Sequence, residues 1–189
     1  AGFAEAVEAA LLRHGVAPNR LDIEITESIL LADGIETLIL LSRLREIGVS
    51  IAIDDFGVGY SSLGQLSHFP IDILKIDKCF VDNIHHSETD AAIVSAIVTM
   101  AHALGLRTIA EGVESNEQTA KLAALGCQYV QGYFFGRPMP TTEVPTWVAS
   151  TKKAFTNIPI VTPAIVVLQP RDCKTIHRKR VIFTQCFVG

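Results

Sequence analysis

The sequence predicts an α/β protein with a parallel sheet, because strand-like and helix-like segments alternate along most of its 189 residues. Strict alternation of apolar and polar residues marks residues 21–26 as a strand, whereas apolar residues spaced three and four apart mark residues 90–104 as a helix. Start and stop residues separate about five such units. Each crossover helix returns the chain to the same sheet edge, so a (β/α) barrel and a doubly wound sheet both remain open.

The strands are predicted from short apolar runs that lie between turn residues. In the first, Leu21, Ile23 and Ile25 alternate with polar residues, which indicates one buried face. The later runs are richer in β-branched residues, and each ends at or carries a polar side chain. The predicted strands are residues 21–26, 49–53, 71–76, 107–110 and 129–135.

The helices are predicted from their end signals and from apolar spacing. Asp33 with Glu36, and Ser115 with Gln118, have the spacing of capping boxes. Glycines follow several of the helix ends, as expected for a left-handed cap. On the long helix we expect one apolar face to be core, formed by Ile93, Ile97, Met100 and Leu104. The predicted helices are residues 4–13, 33–47, 61–68, 90–104, 115–125 and 143–155.

Composition excludes several classes of protein. The net charge is −4, so a basic surface for DNA or RNA is not expected. No apolar run is long enough to span a bilayer. The scattered cysteines lack a C-x-x-C pair, which predicts free thiols in a reducing compartment, and thus a cytoplasmic protein; they are Cys79, Cys127, Cys173 and Cys186. The chain begins with Ala1 rather than Met, which fits a fragment or processed piece of a longer protein.

Polar side chains lie at or near the carboxyl end of each predicted strand, namely Glu24, Asp54, Lys75, Glu111 and Gln131. In a parallel sheet these ends meet at one edge, so the side chains should converge there. Asp55 begins the loop beyond. Oxygen ligands alone favour magnesium, manganese or calcium over zinc. A lysine among carboxylates can neutralise an oxyanion or hold a phosphate or a water.

Less specific interpretations exist for single members of this set. Asp54-Asp55-x-Gly57 is also ordinary turn chemistry. Glu24 and Lys75 could each be structural, with partners elsewhere in the sheet. Their joint placement at successive strand ends favours a site over these alternatives.

Five motifs occur in one order and make the chain resemble a known family. They are Glu24-Ile25-Thr26-Glu27-Ser28, Asp54-Asp55-Phe56-Gly57-x-Gly59-Tyr60-Ser61-Ser62-Leu63, Lys75-Ile76-Asp77, Ala110-Glu111-Gly112-Val113-Glu114 and Gln131-Gly132-Tyr133. The series resembles the EAL-domain family of bacterial cyclic di-GMP phosphodiesterases, over roughly residues 1–155. The resemblance implies a modified (β/α)8 TIM-type barrel that hydrolyses cyclic di-GMP to linear pGpG at a two-metal site with Mg²⁺ or Mn²⁺.

The resemblance also implies a role for each matching residue. The implied metal ligands are Glu24, Asp54, Asp55 and Glu111, and Glu111 is alternatively the general base for the attacking water. Lys75 is implied to hold the water on the metal or the phosphate. Gln131 is implied to be a phosphate contact or a support behind the ligands. Glu27 is implied to anchor the loop after Asp55, which in this family couples metal binding to dimerisation, so a homodimer through that loop and the following helix is expected.

The chain departs from the family pattern at its start and in one loop. The family takes a metal-ligating Glu from a Glu-Ala-Leu motif on an early strand and an Asn from the next; Glu5-Ala6-Val7 is not that motif, because it lies on a predicted helix. Val58 stands where the family usually has Thr. With its first strands missing, a partial barrel exposes strand edges. We therefore expect this chain by itself to be a weak phosphodiesterase or inactive.

Residues 156–189 match nothing in the family and are expected to be a tail of a different nature. Two other functions stay open. One is a non-catalytic EAL module that binds cyclic di-GMP or a protein partner. The other is a different metal-dependent barrel enzyme, which the matches at Glu27 and at Gln131-Gly132-Tyr133 disfavour.

Overall fold

A computed structural model describes residues 2–27, 29, 34–59, 63–140 and 142–151. Four features expected from the sequence lie outside these ranges. They are the helix starts at Asp33 and Ser61, the end of the last helix at 152–155, the tail at 156–189, and the cysteines Cys173 and Cys186.

Five parallel strands form one sheet, and each strand pairs with the next one along the chain in the order β1-β2-β3-β4-β5. This sequential order is that of a (β/α) barrel, since a doubly wound sheet reverses its strand order at a switch point. The α/β prediction is therefore confirmed, and the barrel is the correct alternative. The strands are β1 Asp22–Thr26, β2 Ser50–Phe56, β3 Ile73–Ile76, β4 Arg107–Ala110 and β5 Tyr129–Val130.

Two strands end at a different residue from the one predicted. β2 does not stop at Ile53 but continues through both aspartates to Phe56. β5 ends at Val130 instead of residue 135, because the chain then turns, with the N–H of Phe135 donating to the carbonyl of Gly132. Apolar residues after Val130 made this turn resemble a strand.

The helices agree with the prediction in order but not in every detail. They are α1 Phe3–His14, α2 Gly34–Ile47, α3 Leu63–Leu66, α4 Lys78–Val81, α5 Glu88–Ala103, α6 Asn116–Ala124 and α7 Val144–Thr151. Gly15 ends α1 in a left-handed conformation, and the capping box of Ser115 with Gln118 is present at α6. The single turn α4, capped by the Asp77 carboxylate, was missed because four residues show no periodicity.

The predicted core face of α5 is only partly correct. The buried face consists of Ala91, Val94, Ile97, Val98 and Ala101, whereas Leu104 follows the helix and is 40% exposed. Ile93 and Met100 are only partly buried at the margin of the core. Apolar residues occur on both faces of this helix, so spacing alone could not select the buried one.

The inner face of the sheet is built in two layers. Ala52, Ile73 and Ile109, with Tyr129 packed against them, form a small apolar cluster. Two residues further along each of the same strands come Asp54, Lys75, Glu111 and Gln131. Because side chains repeat every two residues on a strand face, the polar set lies directly beyond this apolar layer, at the carboxyl edge of the sheet. In the described part of the chain, no helix has the length and apolarity that a membrane crossing requires.

Candidate active site

The Lys75 side chain is the centre of the polar set. Its Nζ lies 2.7 Å from Oε1 of Glu24, 2.9 Å from Oδ1 of Asp54 and 2.7 Å from Oε1 of Glu111. The lysine side chain is only 4% exposed. Residues of β1, β2 and β3 and the residue that follows β4 thus meet at one ammonium group. The predicted convergence of Glu24, Asp54, Lys75 and Glu111 is present.

The buried Lys75 ammonium and the carboxylates around it stabilise each other's charged forms. Burial by itself lowers the pKa of the Lys75 ammonium, yet the carboxylates of Glu111, Glu24 and Asp54 together raise it above its ordinary value. The lysine therefore stays charged at any physiological pH. An unpaired charge at this depth would cost several kcal/mol. The ion pairs with Lys75 therefore allow the carboxylates to be buried in the folded protein.

The acidity of Glu111 is strongly changed by its surroundings. Burial raises its pKa to about 7, although the Lys75 ammonium opposes the shift. The negative charge of Asp54 adds to the increase. A carboxyl group with a pKa near neutrality can both accept and release a proton at working pH, which is what general base catalysis needs.

The side chains of Asp54 and Asp55 lie close together near Glu111, although the two residues are neighbours on a strand. Successive strand residues normally face opposite sides. Here the pairing of β2 with β3 shifts register between Ile53 and Phe56, and Asp55 adopts a left-handed φ of 54°. This irregularity re-aims a side chain, as β-bulges do near sites. As a result, one carboxylate oxygen from each of Asp54, Asp55 and Glu111 lies within 4.8 Å of the others.

Asp77 adjoins this cluster, and no role for it was predicted from the sequence. Burial, the charge of Asp54 and then the charge and hydrogen bond of Asp77 raise the pKa of Asp55. Asp77 also accepts the N–H of Cys79 at 2.8 Å, and hydrogen bonds of this kind keep its own pKa below the ordinary value despite burial. The two-residue step from Lys75 to Asp77 was the signal that could have identified it.

Gln131 and Glu27 lie at the same edge, beyond the ends of β5 and β1. The N–H of Gln131 donates to the carbonyl of Ala110 at 2.8 Å, and its buried Oε1 accepts no hydrogen bond within the described residues. Glu27 is buried, and neither of its carboxylate oxygens has a hydrogen-bond partner there. A Cβ built on Gly59 would come 2.8 Å from Oε1 of Glu27. Glu27 therefore touches the loop that follows Asp55.

Comparison with known proteins identifies the family. A profile of the EAL domain matches residues 1–138. The bifunctional diguanylate cyclase/cyclic di-GMP phosphodiesterase MucR of Pseudomonas aeruginosa is 46% identical over 149 residues, which are 79% of this chain and 22% of MucR. The predicted boundary at residue 155 lies beyond the matched range and stays a prediction.

Solved structures share the fold. The MucR phosphodiesterase in complex with c-di-GMP superposes with a TM-score of 0.72 at 46% identity, covering 76% of this chain and 58% of that one. The manganese/cy-diGMP complex of Klebsiella pneumoniae BlrP1 superposes with a TM-score of 0.67 at 38% identity. The match covers 71% of this chain and 34% of the BlrP1 chain. This chain thus spans less than two thirds of each of these proteins. By the profile, the identity and the fold together, it belongs to the EAL domain family.

Proposed function

We propose that this chain provides part of the site at which an EAL phosphodiesterase hydrolyses cyclic di-GMP to linear pGpG with Mg²⁺ or Mn²⁺. The observation that carries the proposal is the convergence of Asp54, Asp55 and Glu111 oxygens within 4.8 Å, beside a buried lysine. The c-di-GMP complex of MucR and the manganese complex of BlrP1 support this choice of substrate and metal.

The donor set fits a hard divalent cation. All candidate ligands are carboxylate oxygens, which Mg²⁺ and Mn²⁺ prefer over softer donors. We assign Asp54, Asp55 and Glu111 as ligands, with Glu24 as a further ligand through the oxygen that now faces Lys75. When bound, such ions lower the pKa of a water and stabilise both oxygens of an in-line displacement at phosphorus.

The side chains of this chain supply the proton and charge chemistry. Glu111, with a pKa raised to about 7, is suited to accept the proton of the attacking water as the alternative to direct ligation. Lys75 offsets negative charge that develops on the phosphoryl oxygens. Gln131, whose buried amide oxygen accepts no hydrogen bond from the part of the chain that the structure describes, is proposed as a polar contact for the substrate phosphate or for the metal ligands.

The expected activity of the 189-residue chain is low. Within the described residues, three carboxylates share one cation position, whereas a two-metal site usually needs ligands on several sides. Residues 1–155 are proposed as the EAL portion, with 156–189 outside it. A specific observation favours the non-catalytic alternative: the Lys75 ammonium lies within 2.9 Å of carboxylate oxygens of Glu24, Asp54 and Glu111, so a cation of the protein itself lies at the centre of the cluster.

A homodimer is proposed through the loop and helix that follow Asp55. Val58, in that loop, is 62% exposed and is an apolar side chain that a second copy could cover. Glu27 contacts the same loop at Gly59. We propose a cytoplasmic location because the described cysteines, Cys79 and Cys127, are free thiols, as expected in a reducing compartment.

Turnover separates the two candidate functions. The purified chain is incubated with cyclic di-GMP and Mn²⁺, and pGpG is quantified by chromatography beside binding of cyclic di-GMP by calorimetry. Slow pGpG formation that disappears in Glu111→Gln supports the phosphodiesterase, with Arg43→Ala, which alters an exposed ion pair on α2, as the control. Binding without any pGpG favours the non-catalytic module, and hydrolysis as fast as that of MucR contradicts the expected low activity.

A further inference from the structure

One buried amide side chain joins two helices next to the candidate site. Gln118 is 5% exposed and lies in the first turn of α6. Its Oε1 accepts the N–H groups of Glu114 at 2.6 Å and Ser115 at 2.9 Å. Its Nε2 donates to the carbonyls of Val81 and Asp82, both at 3.2 Å. All of these partners are backbone groups.

The capping box accounts for only half of these bonds. In a capping box the side chain three residues into the helix accepts a backbone N–H, which glutamate does as well as glutamine. The two bonds that Gln118 donates to Val81 and Asp82 are different, because a glutamate carboxylate at this position has no N–H to donate. Val81 ends α4 and Asp82 follows it, and carbonyls at a helix end lack partners within the helix. Gln118 therefore caps the start of α6 and the end of α4 with one side chain.

The seam between these helices borders the loop that carries Glu111. This loop, residues 111–115, runs from the end of β4 to the start of α6. A Cβ on Gly112, whose φ is +70°, would overlap the Lys78 side chain of α4, so loop and helix are in direct contact. On the opposite side, the N–H of Val113 donates to the carbonyl of Gln131 at 3.0 Å. The loop is thus held between α4 and the segment after β5.

A second polar contact across this seam is weaker. Lys78 and Glu114 form an ion pair, but both side chains are about half exposed, and exposed pairs contribute little. The Gln118 amide is buried, where an unpaired donor or acceptor is costly. Loss of its donor bonds would therefore release the loop from α4 more than loss of the ion pair would.

We propose that Gln118 is a positioning residue, which holds loop 111–115 against α4 and thereby keeps the Glu111 carboxylate beside Asp54 and Asp55. The proposal rests on the metal site of the proposed function. Gln118 touches neither metal nor substrate in this scheme and acts through the backbone of the loop. Its amide, and not merely a polar group of that length, is what the arrangement requires.

The key variant is Gln118→Glu, with Ser115→Ala as its matched control. The glutamate keeps the acceptor for both N–H groups, and its charge suits a helix N-terminus, but it places a carboxylate oxygen against two carbonyl oxygens. Ser115→Ala removes the other half of the capping box, in which Ser115 accepts the N–H of Gln118 at 3.2 Å, and leaves the bonds to Val81 and Asp82. Mn²⁺ affinity of the 189-residue chain is measured by calorimetry at temperatures where both variants are fully folded.

We expect Gln118→Glu to weaken Mn²⁺ binding about tenfold, the lower end of the effect of residues that support ligands, and Ser115→Ala to change it less than twofold. Binding within twofold of the wild type in Gln118→Glu, or an equal loss in both variants, overturns the proposal. If Gln118→Glu does not fold, Gln118→Met, which removes donor and acceptor without adding charge, is tested against the same limits.

Amide hydrogen exchange separates this proposal from the proposed function. If the wild-type chain binds no Mn²⁺, the metal site itself fails. The positioning role is then decided by protection of the Glu111 and Val113 amides, whose N–H groups donate to the carbonyls of Ile76 and Gln131. A loss of at least tenfold in Gln118→Glu but not in Ser115→Ala supports it, and equal protection in both overturns it.

Discussion

The ammonium nitrogen of Lys75 lies 2.7 Å from Oε1 of Glu111, and the two residues come from the ends of neighbouring strands. Lys75 is nearly inaccessible, and Glu111 is mostly buried beside it. The contact helps to keep the buried lysine charged, whereas burial raises the pKa of Glu111 to about 7 against the effect of that lysine. Predictions on charge, pH and loop geometry start from this pair.

Lys75→Met should destabilise the fold strongly. It leaves three carboxylates without their common cation, and removal of one partner of a buried ion pair costs about 3–5 kcal/mol. Added Mn²⁺ should recover part of the loss by taking over that charge. Urea unfolding with and without Mn²⁺ measures both effects. Lys78→Met is the matched control, since its ion pairs are exposed and its loss should change stability little; equal losses in the two variants would refute the explanation.

Glu111→Gln should remove part of the pH dependence of stability. In the folded protein the Glu111 carboxyl group has a pKa of about 7, whereas the ordinary pKa of a glutamate is 4.5. Between these values the folded state binds more protons than the unfolded state, so the contribution of Glu111 to stability falls as pH rises. Free energies of unfolding at pH 5 and pH 8 measure it. The decline should be smaller in Glu111→Gln, and an unchanged decline contradicts the raised pKa.

Gly112→Ala should cost more than Gly105→Ala, although both glycines have φ near +70°. The backbone strain is thus comparable, about 1–2 kcal/mol for a residue with a side chain. A methyl group at 105 meets open space, whereas one at 112 meets the Lys78 side chain. Thermal unfolding should show the larger loss at 112, and Mn²⁺ affinity should fall only there. Equal losses of stability in the two variants would contradict the prediction, because they would show that the loop at residue 112 moves to accommodate a methyl group.

Asp22→Asn should stabilise the protein at high pH. Asp22 is 2% exposed, and among the described residues neither of its oxygens accepts a hydrogen bond of normal length. Burial raises the pKa of this carboxyl group, with Ser50 and Arg107 offsetting only part of the effect. Relief of a poorly compensated buried polar group is worth about 1–3 kcal/mol. The gain should appear in urea unfolding at pH 8 and shrink at lower pH, where the wild type takes up a proton.

The control for this prediction is Asp72→Asn. Asp72 accepts the N–H of Ile51 at 3.0 Å and forms an ion pair with Arg45 at 3.4 Å. Its carboxylate charge is therefore compensated by two partners. Its replacement should lower stability at pH 8. A loss of stability in Asp22→Asn as well would contradict the assignment of Asp22 as a poorly compensated charge.

Glu27→Gln should weaken the proposed dimer. The buried Glu27 carboxylate contacts the loop after Asp55 at Gly59, and removal of its charge should alter how that loop is held. Sedimentation velocity over a concentration series, with and without Mn²⁺, measures the effect. A weaker dimer in the variant is expected, with Glu36→Gln, an exposed residue of α2, as the control. A monomeric wild type at all concentrations refutes the dimer itself.

The sequence alone determined much of the fold, because its signals are local. Apolar alternation, capping residues and terminal glycines depend on neighbours along the chain, and they located most of the helices and strands and the order of their alternation. The two-residue period of a strand gives the face on which each polar side chain lies, and their positions at the ends of parallel strands put Asp54, Lys75, Glu111 and Gln131 at one edge of the sheet. Local signals failed where they were ambiguous, as on α5, whose two faces both carry apolar residues.

Only the tertiary structure decided how the site is assembled. The three partners of Lys75 depend on the register between strands far apart in sequence, and the placement of Asp55 beside Asp54 depends on a shift in that register. The donor bonds from Gln118 to Val81 and Asp82 cross 37 and 36 residues of chain. A capping box is encoded within four residues, but packing decides which carbonyl oxygens lie within reach of its amide, and so which loop it holds.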